Sequence, residues 1–123
     1  MIRTLIVDDD ALVARTMGRM LSRHVEVVDA VCDASTALQR LEHDSIDVLI
    51  TDFDLGPGMT GRELAESVKK LFPNIRIIMV SGSFGAFPEK PSEVTEAIDA
   101  FFPKPVRVQD LLSSLQELTK PQS

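Results

Sequence analysis

Five short apolar runs, at residues 4–7, 25–31, 46–51, 75–80 and 100–102, recur along a chain of 123 residues. They are rich in β-branched side chains and too short for helices, so each reads as a strand. Between them the apolar residues return every three or four positions. Val13, Met17, Met20 and Leu21 share one helical face, and Ala34, Ala37, Leu38 and Leu41 a second. Leu64, Val68 and Leu71 form a third, and Val108, Leu111, Leu112 and Leu115 a last. Strands alternating with helices through right-handed crossovers build an open parallel sheet covered on both faces. Asp10 and Asp33 stand where N-caps of the first two helices belong, and Thr60 with Glu63 has the spacing of a capping box for the third. At this length we expect residues 1–123 to form a single domain.

In an open parallel sheet the ligand crevice lies beyond the carboxyl ends of the strands. Asp8, Asp9 and Asp10 follow the first apolar run, Asp52 and Asp54 the third, and Lys104 the last. Carboxylates roughly 5 Å apart repel by about 3 kcal/mol per pair at an effective dielectric near 20. Such a cluster calls for a cation, and a metal ion is the expected one. Lys104 can bring an ammonium group to the same edge.

The net charge of −6 and pI near 4.8 leave no basic stripe for a nucleic acid or an anionic membrane. Cys32 has no partner for an internal disulfide, and the chain opens without a signal sequence, so a cytoplasmic location is expected. Cys32 itself reads as a small core residue.

Val7-Asp8-Asp9-Asp10, Thr51-Asp52-Phe53-Asp54, Val80-Ser81-Gly82 and Phe102-Pro103-Lys104-Pro105 stand in the right order at the ends of the first, third, fourth and fifth runs. Together they resemble the signature of the response-regulator receiver domain of two-component signalling, over essentially the whole chain. That resemblance implies an α/β, flavodoxin-like fold, a five-stranded parallel sheet of order 2-1-3-4-5 with helices on both faces. It implies Asp52 as phosphoacceptor, attacking the phosphohistidine of a sensor histidine kinase or histidine phosphotransfer protein. Mg²⁺ would be held by Asp9, Asp52 and the backbone carbonyl of Asp54, with Asp8 acting mainly through water. Lys104 and Ser81 would each contact a phosphoryl oxygen, Ser81 moving toward it on activation, and Phe101 occupies the aromatic switch position. Lys104-Pro105 would be a cis peptide. A domain of this kind is not an enzyme on other substrates: it catalyses its own phosphotransfer and dephosphorylation, and controls an output protein or effector domain.

The chain departs from the family pattern in places. The loop from Asp54 to Gly61 runs one residue longer than usual, Thr60 replaces a common aspartate, and Ser81 replaces the commoner threonine. Asp54 puts a further negative side chain beside the acceptor. The segment Ser83 to Pro91 is broken by Gly85, Pro88 and Pro91, so the fourth helix is expected to be shortened or irregular, with only Ser92 to Asp99 helical. Phe84 and Phe87 in that segment, with the fifth strand, are expected to form the output face. An independent or N-terminal receiver is the expected context.

Ile50-Thr51-Asp52-Phe53-Asp54-Leu55 also resembles the nucleophile motif of haloacid-dehalogenase-type phosphatases, with Asp54 as general acid/base. Those enzymes carry the motif on the first strand, whereas here it follows the third. A flavin-binding flavodoxin fits less well, because three aspartates after the first strand would repel a phosphate.

Overall fold

The computed structural model describes residues 1–82 and 96–120. The chain runs β1 (Arg3–Val7), α1 (Ala11–Leu21), β2 (Glu26–Val31), α2 (Ala34–His43), β3 (Val48–Asp52), α3 (Gly61–Leu71), β4 (Arg76–Ser81), β5 (Ala100–Pro103) and α4 (Val108–Leu118). All pairings are parallel, and the strand order is β2-β1-β3-β4-β5. β3, the central strand, is buried along its entire length.

Alternation along the strands divides the core in two. Leu5, Val7, Leu49, Ile77 and Met79 face α2 and α3, packing on Ala37, Leu41, Leu64 and Val68. Ile6, Val48, Ile50, Ile78 and Val80 face α1 and α4, packing on Ala14, Leu21, Leu111 and Leu115. The helices begin where the caps predicted. Asp10 accepts from the backbone N–H groups of Leu12 and Val13, Asp33 accepts from Thr36, and Thr60 and Glu63 close a reciprocal capping box.

Four expectations from the sequence need correction. α1 lies against the sheet through Ala14, Gly18 and Leu21 rather than through Met20, which is 48% exposed. The small residues let the helix approach closely: a Cβ on Gly18 would sit 3.4 Å from Val27 Cγ1 and 3.6 Å from Ile6 Cδ1. Leu71 ends α3 on its exposed side, 62% accessible, so it lies outside the buried stripe of Leu64 and Val68. Cys32 is exposed just beyond β2, not in the core. Of the segment expected to be helical from Ser92 to Asp99, the described part, residues 96–99, forms a turn leading into β5. The irregular stretch with Phe84 and Phe87 lies outside the described residues.

The Thr36 backbone N–H, and then the Thr36 side chain, hold the Asp33 carboxyl below its usual value of 3.8. A depressed folded-state pKa means that the stabilisation is present above the unfolded value and is lost as pH falls through the folded one. Replacing Asp33 with alanine should therefore lower the melting temperature at pH 7. The gap between parent and variant should close on acidification below about pH 3.8, which calorimetry in acetate and glycine buffers would follow.

Candidate functional site

Register places the chemistry. Val7 pairs with Thr51, Asp52 with Val80, and Ser81 with Pro103, so the ends of β1, β3, β4 and β5 reach the same edge of the sheet. Asp8 and Asp52 are buried there, 3% and 7% exposed, and Ser81 is buried beside them. Asp9 remains open to solvent, and its carboxylate, with those of Asp8 and Asp52, offers oxygens all within 4.8 Å of one another.

The backbone fixes each carboxylate. Asp8 donates its N–H to the Val31 carbonyl at 3.1 Å, while its Oδ1 accepts from the Asp10 N–H at 2.9 Å. Asp10 is therefore taken up by the cap of α1 and does not join the cluster. Asp52 Oδ1 accepts from the Asp54 N–H at 3.3 Å, and the Asp54 side chain is exposed. Lys104 reaches both from the end of β5. Its backbone N–H donates to the Ser81 carbonyl at 3.0 Å, and its Nζ donates to Asp8 Oδ2 at 2.9 Å and Asp52 Oδ2 at 3.0 Å. The Lys104-Pro105 peptide is cis.

Burial pushes the Asp52 carboxyl above its ordinary value, and the bonds to Lys104 offset only part of that rise. Burial alone would lower the Lys104 ammonium, but hydrogen bonds to Asp8 and Asp52 outweigh it and raise the pKa. The two partners move in the same direction for different reasons. One ammonium does not fully compensate two buried carboxylates, so the site retains affinity for further positive charge. Three hard oxygen donors close together suit a divalent cation that keeps part of its water shell.

Phe101 pairs with Met79 in the sheet and is partly buried against the α2/α3 core, next to this edge. The lengthened loop after β3 is accommodated by Gly56 and Gly58, at φ +76° and +101°, conformations that side-chain-bearing residues resist. Gly61, which closes the lengthened loop, opens α3. In the fold it sets how the acceptor strand ends: its N–H donates to the Phe53 carbonyl at 2.7 Å, and a Cβ there would stand 2.0 Å from the Asp52 carbonyl oxygen. A second such contribution is Asp99, at the entry to β5, whose Oδ2 accepts from both Lys69 Nζ and the Ile77 N–H and so ties α3 to β4. Its signal was a lone acid before an apolar run, too common to single out.

Gly61→Ala should cost about 1–3 kcal/mol, because the nearest atoms are backbone and cannot swing aside. Urea denaturation should show a lower midpoint for this variant, while Gly58→Ala, with open space around its Cβ position, should pay only for its positive φ.

The comparisons with known proteins agree with this geometry. Residues 4–116 match the family model described as response regulator receiver domain. The chain is 30% identical over 121 residues to the two-component response regulator PhoP of Pseudomonas aeruginosa, covering 96% of this chain and 52% of that one. It is 28% identical over 116 residues to the transcriptional regulatory protein CutR of Streptomyces coelicolor, covering 94% and 52%. The chain thus spans about half the length of these relatives. A CheY-like receiver domain structure from Methanospirillum hungatei superposes with a TM-score of 0.82 at 33% identity, covering 98% of each chain. Nothing in the comparisons supports the haloacid-dehalogenase reading. A receiver signature at the ends of four strands, on the sheet order the signature requires, and a family match over nearly the whole chain lead to one conclusion: this chain belongs to the response regulator receiver domains of two-component signalling.

Proposed function

We propose that Asp52 is the phosphoacceptor of this receiver and that its phosphorylation, supported by Mg²⁺, switches the fourth-helix/fifth-strand face toward an output protein or effector domain. The observation that carries this reading is the convergence of Asp52, Asp8 and Lys104 at hydrogen-bond distance, with Asp9 beside them. A carboxylate oxygen of Asp52 attacks the phosphorus of a phosphohistidine, the phosphorus–nitrogen bond breaks, and the imidazole leaves. The donor is a sensor histidine kinase or a histidine phosphotransfer protein.

The residues present fit a hard divalent cation. Asp9, Asp52 and the Asp54 carbonyl would hold it, with Asp8 acting through water, and when bound it neutralises charge on the phosphoryl oxygens. Lys104 already donates to Asp52 Oδ2, so its ammonium is in place to pair with an oxygen of the phosphoryl group that forms there. Ser81, linked through its carbonyl to the Lys104 backbone, lies at the same edge to offer its hydroxyl to another oxygen. Phe101, on the neighbouring strand, would follow Ser81 as the aromatic switch. In this reading the chain acts on no other substrate, binds neither nucleic acid nor membrane by itself, and works in the cytoplasm. No helix among the described residues is long and apolar enough to cross a membrane.

Intact mass after incubation with acetyl phosphate and Mg²⁺ should show one phosphoryl increment, absent from Asp52→Asn. The same increment in that variant would overturn the assignment. Mg²⁺ at about ten to a hundred times its Kd should stabilise the protein by roughly 1–3 kcal/mol, seen as a rise in melting temperature. Asp9→Ala should remove most of that rise, and a parent protein indifferent to millimolar Mg²⁺ would refute the metal site.

A further inference from the structure

Lys104 follows a lightly held strand. β5, Ala100–Pro103, is four residues long and lies at an edge of the sheet, where it pairs on one side, with β4. Pro103 has no backbone N–H to give to the ladder. Yet Lys104 Nζ meets carboxylates from two other strand ends at 2.9 and 3.0 Å, a geometry that tolerates shifts of roughly a few tenths of an ångström. A slide of β5 by one residue would carry it roughly 3.3 Å along β4 and exchange the side chains that face each layer.

The start of the strand carries a clasp. Asp99 donates its N–H to the Ile77 carbonyl at 2.8 Å, and its Oδ2 accepts from the Ile77 N–H at 2.8 Å, so one residue closes on both backbone polar groups of another. The carboxylate supplies the bond that an earlier β5 carbonyl would give in a longer ladder, because residues 96 and 97 are already in a turn. The same Oδ2 accepts from Lys69 Nζ at 2.9 Å, and Lys69 also donates to the Ile75 carbonyl at 2.8 Å. The side chains of Lys69 and Asp99 are 21% and 17% exposed, so parting them would leave each charge short of both water and partner. From this clasp Ala100 to Pro103 run in register with Ile78 to Ser81, and the Lys104 N–H closes the far end on the Ser81 carbonyl at 3.0 Å.

We propose that Asp99 is a positioning residue for phosphoryl transfer: by fixing β5 along β4 it sets where the Lys104 ammonium stands against Asp52. The proposal rests on Asp52 being the acceptor. α3 braces both members of that pair. Gly61 at its start abuts the Asp52 carbonyl, and Lys69 in its last turn holds the Asp99 carboxylate. A hydrogen-bonded helix keeps the distance between its ends, so the strand that carries the nucleophile and the strand that carries the cation are referred to one rigid element. Asp99 lies at the other end of β5 from Lys104 and acts on the reaction through it.

The rate of labelling by acetyl phosphate with Mg²⁺, followed by intact mass, tests the assignment. Asp99→Ala should slow it about tenfold, as a small misplacement of a charged group does, while Asp99→Asn, which keeps an oxygen for the Ile77 N–H, should stay within about twofold of the parent. The ¹⁵Nζ resonance of Lys104 should move in the alanine variant and hold its place in the asparagine variant. Mg²⁺ should bind Asp99→Ala at least as tightly as the parent, since the carboxylates remain and a competing ammonium has withdrawn. In a Lys104→Ala background, Asp99→Ala should slow labelling no further, because the effect it would exert passes through the missing group. If Asp99→Ala does not fold, Lys69→Met takes its place, with a loss of about threefold that likewise vanishes in the Lys104→Ala background. Labelling at the parent rate in the folded variant, an equal loss with and without Lys104, an asparagine variant as slow as the alanine one, or weakened Mg²⁺ binding beside slowed labelling would overturn the proposal. A parent chain that takes no phosphoryl group, or an Asp52→Asn variant labelled as fast as the parent, would instead count against Asp52 as acceptor, and the two failures are thereby separable.

Discussion

The Lys104 ammonium, bonded at 2.9 Å to Asp8 and at 3.0 Å to Asp52, is the interaction on which the arrangement of the site depends. It connects β5 with the ends of β1 and β3, residues separated by up to 96 positions in the chain. Its geometry requires the full sheet order, since β5 reaches the crevice only through β4. Without it, two nearly buried carboxylates would face each other in a medium where their repulsion is poorly screened. With it they stay close, and the edge remains short of positive charge. That residual imbalance favours a divalent cation, which in the proposed function would offset the charge of a phosphoryl group on Asp52.

The backbone around this pair is pre-set in the same sense. Asp8 is held by the Val31 carbonyl and by the Asp10 N–H, and Asp52 by the Asp54 N–H, so neither carboxylate needs to be ordered when a ligand arrives. Gly61 allows α3 to start against the end of β3, where any Cβ would strike the Asp52 carbonyl. The longer loop between them passes through two exposed glycines at positive φ. Positioning of this kind suits phosphoryl transfer, in which the protein supplies a nucleophile and fixed charges rather than elaborate covalent chemistry.

Charge is unevenly distributed over the molecule. The sheet edge concentrates acids, while α1, next to it, carries only cations. On most of the surface, opposite charges neutralise one another locally, as Lys69 and Arg76 do on Asp99. On α1 they do not among the described residues, and the helix also exposes Leu12 and Met20.

The sequence by itself determined the strand and helix order, the caps and the identity of the chemical groups. Each of these is a local property: periodicity selects the element, an oxygen-bearing side chain two or three residues ahead of a free backbone N–H selects its start, and an acid after a buried strand falls at the crevice. The receiver signature, read at four strand ends, added the sheet order and the expected roles. What tertiary structure alone decided is how surfaces meet. Met20 belongs to the apolar stripe of α1 by periodicity, yet Gly18 draws the helix so close to β2 and β1 that Ala14 and Leu21 fill the contact and Met20 is turned outward. Cys32 sits one residue beyond β2, a partly buried edge strand, and is exposed, because the chain leaves the sheet there. The sharing of Lys104 between Asp8 and Asp52 joins residues far apart in sequence, and the steric demand on Gly61 comes from the strand end on the other side of its loop. No local pattern encodes a distance between them; packing of the two helical layers on the sheet does.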